Sequence, residues 1–149
     1  MLHFGVSNFA THQFSLLDSR LSEFDLITNQ IEFSVLYPDP LYDGTLDWCQ
    51  MLGLSPMIWS PFAGGRLFDP RDERGKRVVE ALTRVGDALD AEVDQVALAW
   101  ILMHPSDPVV VLGSGKIERL ASAAGAESLT MTRDQWYTIL KASVGADVP

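Results

Sequence analysis

Short apolar runs alternate along the chain with longer segments in which apolar residues recur at the spacing of a helix. The runs predict four strands, and the segments between and after them predict helices. The expected strands are residues 4–6, 25–31, 56–59 and 109–112, and the expected helices are residues 12–17, 44–52, 74–91, 95–103, 117–124 and 133–143. This alternation predicts an α/β fold with a parallel sheet, in a single domain over residues 1–149.

Polar residues directly before three of the helices are expected to cap them. Thr11, Asp94 and Thr132 stand at these positions, where a side-chain oxygen can accept a hydrogen bond from a free backbone N–H of the first turn. The fourth strand, residues 109–112, is a run of β-branched and apolar residues. Such a run predicts a strand that is buried on both faces.

The turn after the fourth strand carries the clearest candidate binding chemistry. Gly113, Ser114 and Gly115 stop the strand, and the next helix begins after Lys116. Free backbone N–H groups and the helix macrodipole at such a start favour an anion, and Lys116 and Arg119 add positive charge there. The turn therefore predicts a phosphate site, with an ordinary connection bearing solvated basic residues as the alternative.

Other candidate ligand groups also follow strands. Ser7 and Asn8 come after the first, Gln30 stands in the second, and Trp59 and Ser60 end the third. In parallel α/β folds ligands bind at this edge of the sheet. Two alternatives remain open on the residues alone: the Gln30 amide has either an internal partner or a ligand, and Trp59 is either a core residue or a stacking surface for a flat ring.

Composition and charge limit which partners, compartment and metal sites are expected for this protein. A net charge of −9 disfavours nucleic acid and anionic membrane as partners. No run reaches the length of a membrane helix, and no signal peptide is expected. A lone cysteine, Cys49, fits a reducing cytoplasm and is interpreted as a core residue. The three histidines are isolated, so no metal site is predicted.

The motifs together resemble the second half of an aldo-keto reductase, of a bacterial branch without a long C-terminal loop. The resemblance runs in family order through most of the chain. It is carried by residues 4–9, 29–32, 59–67, 96–100 and 111–120. It implies four strand–helix units of a (β/α)8 TIM barrel, a half barrel with additional helices before the last strand and at the C-terminus. It also implies reduction of carbonyl compounds with NAD(P)H.

The resemblance implies roles for most of the candidate residues, all of them in cofactor binding. One group would hold the nicotinamide end: Ser7, Asn8 and Gln30 on its amide, and Trp59 on its ring. A second group would line the pyrophosphate, and a third would meet the 2′-phosphate and favour NADPH over NADH. The second group is Ser60, Phe62, Gly64 and Gly65, and the third is Ser114, Lys116 and Arg119. Gly113 and Gly115, in the same turn as the third group, are also expected to bind the cofactor.

The resemblance also implies an absence and a departure. The family's catalytic Tyr, with its Lys, Asp and His partners, belongs to the first four strand–helix units, so no catalytic residue is predicted in this chain. Ser122 and Ala123 differ from the acidic residue and Asn that many relatives use to hold adenine. The chain is thus expected to be the NADP(H)-binding portion of an oxidoreductase. The alternatives are a non-catalytic nucleotide-binding or scaffold protein and an inactive truncated fragment.

A half barrel also predicts a partner. Leaving the inward side chains of four strands in water would cost more than the roughly 5–15 kcal/mol by which a domain is typically stable. Two sheet edges would be exposed as well. Self-association or pairing with a separate N-terminal half is therefore expected, with collapse into a different packing as the alternative.

Overall fold

A computed structural model describes residues 3–147, and it contains four strands and six α-helices in the order expected from the sequence. The strands are β1 (Phe4–Ser7), β2 (Leu26–Glu32), β3 (Met57–Trp59) and β4 (Val109–Val110). The helices are α1 (Thr11–Asp18), α2 (Thr45–Leu52), α3 (Glu73–Leu89), α4 (Val93–Leu102), α5 (Ile117–Ala124) and α6 (Arg133–Val144). Short 3-10 turns connect several of these elements.

The four strands form one parallel sheet in the order β1-β2-β3-β4. Ser7 pairs with Gln30, Gln30 pairs with Met57, and Met57 pairs with Val109, so one row of positions crosses the whole sheet. Because all strands run in the same direction, their carboxyl ends lie at one edge. The predicted parallel half barrel, with one extra helix before the last strand and one at the C-terminus, is confirmed.

Helices cover one face of the sheet. Ile31 and Ile58 are paired neighbours that point into this layer, and both belong to the main apolar core. Leu82 of α3 and Trp100 of α4 are fully buried in the same core. Because α3 is amphipathic and α4 is apolar, both helices bury apolar side chains on this side of the sheet.

The other face of the sheet has no helix on it among the described residues. Side chains alternate along a strand, so Gln30, Met57 and Val109 share this face. Val109 is 53% exposed. The prediction of a fourth strand buried on both faces over residues 109–112 is therefore wrong. The strand β4 spans only Val109–Val110, because it lies at the sheet edge and pairs with the three-residue strand β3 alone.

The C-terminal helix is fixed to α4 by two tryptophans. The rings of Trp100 and Trp136 stack with centroids 5.0 Å apart and an interplanar angle of 10°. Each indole N–H donates to the other residue's backbone carbonyl, at 3.1 Å from Trp100 and 2.9 Å from Trp136. This reciprocal pair satisfies both polar indole groups inside an apolar contact.

One of the three predicted helix caps is confirmed. The Thr132 hydroxyl accepts a hydrogen bond from the Gln135 backbone N–H at the start of α6. The other two predictions are wrong, since α1 is preceded by Ala10 and α4 by Glu92. In α4 the Gln95 side chain accepts from the Glu92 backbone N–H, which leaves the Asp94 carboxylate inside the first turn and free for another contact.

Within residues 3–147, no helix is long and apolar enough to cross a membrane. The single-domain prediction also covers residues 1–2 and 148–149, which lie outside the described part of the chain.

Candidate functional site

A cavity of about 640 Å³ lies at the carboxyl edge of the sheet, between the segments that follow β3 and β4. Eight of the residues expected from the sequence line it together. They are Trp59, Ser60, Phe62, Gly64 and Gly65 from the first segment, and Gly113, Ser114 and Arg119 from the second. The segments are about fifty residues apart in the chain, and the pairing of β3 with β4 brings them side by side.

Trp59 lies at the boundary between this cavity and a second one. It is half-buried rather than part of the apolar core, and it lines both cavities. Its indole N–H donates to Asn8 Oδ1 at 2.9 Å. Of the two interpretations left open by the sequence, the core residue is excluded, and the indole is held with part of its surface facing open space.

The backbone between Ser60 and Gly65 has an unusual conformation. Ser60 and Ala63 have φ angles of 55° and 52°, and Gly64 and Gly65 have φ angles of 66° and 89°. Left-handed conformations suit glycine but cost a residue with a Cβ of the order of 1 kcal/mol or more. Such strain clusters at binding sites, and here it lies along the wall of the cavity.

The turn between β4 and α5 has the form expected from the sequence. The Ser114 hydroxyl accepts from the Lys116 backbone N–H at 3.2 Å, and α5 begins at Ile117. Arg119, in the first turn of α5, lines the cavity. Gly115 and Lys116 lie in the same turn but are not among the described residues that line it.

Ser7, Asn8 and Gln30 meet through the backbone. The Gln30 carbonyl accepts from the Ser7 hydroxyl at 3.1 Å and from the Asn8 N–H at 2.8 Å. Asn8 has a φ of 56°, a conformation that asparagine tolerates better than most residues. Asn8 lines the second cavity, whereas Ser7 and Gln30 line neither of the two in the described part of the chain.

The second cavity has a volume of about 560 Å³ and an acidic lining. Glu32 and Asp43 line it together with Tyr37 and Trp59. Burial raises the pKa of the Tyr37 hydroxyl, and the carboxylates of Asp39, Glu32 and Asp43 raise this pKa further. The hydroxyl of Tyr37 therefore stays protonated at neutral pH and lies in a negative electrostatic field.

Six residues that line the larger cavity were not among the binding residues predicted from the sequence: Pro61, Phe68, Asp94, Val111, Leu112 and Ala123. Phe68 packs against the ring of Phe62, with centroids 5.2 Å apart. Asp94 reaches the cavity from α4, which does not follow a strand directly, so the rule that ligand groups follow strands could not find it. In residues 3–147, no group of three or more His, Cys, Asp or Glu side chains could hold a metal ion.

The larger cavity combines three features: an aromatic surface at one end, glycine-rich backbone along one wall, and a cationic side chain at a helix start. Flat rings stack on aromatic side chains, and glycines allow close approach of the backbone to a ligand. An arginine beside a helix N-terminus suits phosphate. The arrangement is suited to an elongated ligand with a flat ring and several anionic groups.

Comparison with known proteins identifies a family and close relatives. The model of the "Aldo/keto reductase family" matches residues 1–143. The chain is 50% identical over 148 residues to "Oxidoreductase YdhF" of Escherichia coli (strain K12), and 43% identical over 148 residues to "Uncharacterized oxidoreductase YcsN" of Bacillus subtilis (strain 168). Each match covers 99% of this chain and 49% of the relative. The chain thus spans about half the length of the curated relatives that it matches.

A solved structure shares the fold. The crystal structure of the thermostable aldo-keto reductase Tm1743 superposes with a TM-score of 0.81 at 23% sequence identity. The superposition covers 94% of this chain and 48% of that protein. The four strand–helix units described above therefore correspond to about half of an aldo-keto reductase barrel.

Proposed function

The chain belongs to the aldo/keto reductase family, and from that premise we propose that it is the NADP(H)-binding portion of an oxidoreductase that reduces carbonyl groups by hydride transfer. The observation that carries this proposal is the cavity in which Trp59, Gly64 and Arg119 meet. When bound, the reduced nicotinamide would supply the hydride. The residues of this chain bind and orient the dinucleotide.

The nicotinamide end of the dinucleotide is placed at Trp59. The indole is held by Asn8, which fixes the plane on which the ring stacks. Ser7, Asn8 and Gln30 lie at the adjoining strand ends and hold the carboxamide. The Asn8 Oδ1 atom also accepts the hydrogen bond from the Trp59 indole N–H, so in this arrangement Asn8 contacts both the carboxamide and the indole.

The pyrophosphate lies against the segment after β3. Gly64 and Gly65 have open space where a Cβ would stand, so no side chain keeps a phosphate away from this stretch of backbone. The Gly65 N–H itself donates to the Phe62 carbonyl at 3.0 Å. Ser60 offers a hydroxyl at the same wall, and Phe62 lines the wall with an apolar ring.

The 2′-phosphate of the adenosine ribose is placed at the turn between β4 and α5. Arg119 and Ser114 line the cavity there, and Lys116 stands at the N-cap of α5. Two cations and a helix start stabilise the extra charge of NADPH, which NADH lacks. We therefore propose NADP(H) as the cofactor rather than NAD(H).

The carbonyl substrate is placed in the second cavity, on the other side of Trp59. We assign the proton donor of the reaction to no residue of this chain. Tyr42 and Tyr137 are exposed and line neither cavity in the described residues. Tyr37 lines the second cavity from the loop after β2, but the resemblance places the family's catalytic Tyr in the first four strand–helix units. This chain covers about half of its longer relatives. The proton donor would come from the strand–helix units in the half that this chain does not cover.

We propose that in the functional protein a partner covers the face of the sheet on which no helix packs. Val109 on this face and the two edge strands β1 and β4 are open to solvent or to a partner. Four further strand–helix units, from a separately supplied N-terminal half or from a second copy of the chain, would close the barrel. Sedimentation of the 149-residue chain as a compact, folded monomer of 16.5 kDa would contradict this.

The cofactor proposal is tested by titrating the chain with NADPH and with NADH while recording tryptophan fluorescence. We expect quenching by NADPH, and we expect Arg119→Ala to weaken NADPH binding about tenfold with little effect on NADH. The matched control is Arg133→Ala, an exposed arginine at the start of α6. Absence of quenching would contradict the cofactor proposal, and an equal loss for both dinucleotides in Arg119→Ala would contradict the assignment of the 2′-phosphate.

The assignment of the proton donor is tested separately. The purified chain alone is expected to show no NADPH oxidation with a generic aldehyde. Turnover that survives repurification would show that the donor lies within these residues.

A further inference from the structure

A carboxylate lines the cavity in which the phosphates of the proposed cofactor are placed. Asp94, in the first turn of α4, lines the same cavity as Ser114 and Arg119. Its Oδ2 atom accepts a hydrogen bond from the Ser122 hydroxyl at 3.3 Å. Among the described residues, no other group donates to the Asp94 carboxylate. One of its oxygens is thus held by Ser122, and the carboxylate retains acceptor capacity toward the cavity.

Phosphates and a carboxylate repel each other, so the cofactor cannot place a phosphate beside Asp94 at low cost. An acceptor needs a donor. At the adenosine end of a dinucleotide the donors are the ribose hydroxyls and the exocyclic amino group of the adenine. The 2′-phosphate of NADPH removes one hydroxyl, and that phosphate is assigned to Arg119 and Ser114.

The order of residues along α5 favours the base rather than the ribose as the neighbour of Asp94. Arg119 lies in the first turn, and Ser122 and Ala123 follow it by three and four positions, on the same side of the helix. Ala123 lines the cavity with a small apolar surface. Moving along α5 from the phosphate site, a ligand would therefore next meet Ala123 and the carboxylate held by Ser122.

We infer that Asp94 accepts a hydrogen bond from the adenine amino group of the cofactor and that Ser122 is a positioning residue for its carboxylate. This inference rests on the proposed function. It assigns recognition of the base to a residue of α4, while α5 supplies only the hydroxyl that orients it. A dinucleotide whose base carries a carbonyl in place of the amino group would present an acceptor to the carboxylate.

The test compares NADPH with its hypoxanthine analogue, deamino-NADPH, by fluorescence titration of the 149-residue chain. The unmodified chain is expected to bind NADPH about tenfold more tightly. Asp94→Ala should reduce this preference to less than about twofold, chiefly by weakening NADPH binding. Asp87→Ala, at an exposed position on α3, is the matched control and should leave the preference unchanged.

Two further variants separate recognition from folding. Asp94→Asn keeps the shape and an acceptor oxygen but not the charge, so an intermediate preference of about threefold is expected even if Asp94→Ala does not fold. Ser122→Ala keeps the carboxylate and frees its orientation, and should also lower the preference. A general structural defect would weaken both dinucleotides equally and would leave their ratio unchanged.

The outcomes that overturn the inference are distinct. Equal binding of the two dinucleotides by the unmodified chain excludes recognition of the amino group. A preference that survives Asp94→Ala, together with a preference for NADPH over NADH that rises above that of the unmodified chain, would place the carboxylate at the ribose instead. If the unmodified chain binds neither dinucleotide, the proposed function itself fails, and the inference fails with it.

Discussion

The indole N–H of Trp59 donates to Asn8 Oδ1 at a distance of 2.9 Å, although 51 positions separate the two residues. Their strands, β1 and β3, are not neighbours, so this bond passes across the end of β2. It fixes an aromatic side chain at the boundary of two cavities. The hydrogen bond thus gives the candidate site a defined aromatic surface before any ligand binds.

Removing the acceptor should free the indole. We expect Asn8→Gly, which tolerates the left-handed backbone, to increase exchange of the Trp59 indole proton about fivefold. Asn8→Asp keeps an Oδ1 acceptor and should retain protection. The indole peaks in a nitrogen–proton NMR spectrum report this directly, with Trp59→Phe identifying the signal. Equal protection in the glycine variant would show that the bond does not hold the ring.

The stacked pair of Trp100 and Trp136 is expected to anchor α6. Trp136→Phe removes one indole N–H and part of the stacked surface, and should lower the free energy of unfolding by about 1–3 kcal/mol. Urea denaturation measures the change. Tyr137→Phe is the control, because Tyr137 is 44% exposed and the variant should stay within about 0.5 kcal/mol. Similar values for both variants would contradict the anchoring role.

Cys49 should act as a protected thiol. It is fully buried in α2, and burial raises the pKa of its thiol to about 11. Because the thiolate is the reactive form, a pKa of about 11 leaves only about one molecule in a thousand ionised at pH 8 in the folded chain. We expect a disulfide reagent to label the folded chain no faster than it unfolds, and the urea-unfolded chain at once. Rapid labelling of the folded chain would disprove this.

His104 should make stability depend on pH. Burial lowers its pKa from 6.5, an effect that Asp47 partly opposes. The unfolded chain therefore binds this proton more readily, and the free energy of unfolding falls as the pH drops below about 6.5. Urea midpoints between about pH 7.5 and about pH 5.5 measure the slope, which His104→Gln should reduce. His12→Gln, at an exposed position, is the control. An unchanged slope in His104→Gln would contradict the prediction.

The sequence predicted those features that local spacing determines. The apolar positions of α5 gave its bounds as residues 117–124, which the structure reproduces. The order of strands and helices was enough to predict a parallel sheet, and with it the meeting of Trp59 and Arg119 at one cavity.

Features that depend on what lies beside a residue could not be predicted. The run at residues 109–112 has the composition of a central strand, but β4 lies at an edge and is short. Asp94 looks like a cap, but Glu92 takes that position and the carboxylate turns to Ser122 and the cavity. Both outcomes are set by neighbours distant in the sequence, which local patterns do not contain.

The sheet order has a consequence for how the chain is made. Each strand pairs only with the strand that precedes or follows it in the sequence, so β1 and β2 can pair while the later residues are still inside the ribosome. Within this four-stranded sheet, no strand has to wait for a partner that is distant in the sequence. These four strand–helix units can therefore assemble one at a time, and the two outer edges of the sheet stay available for the units that close the barrel.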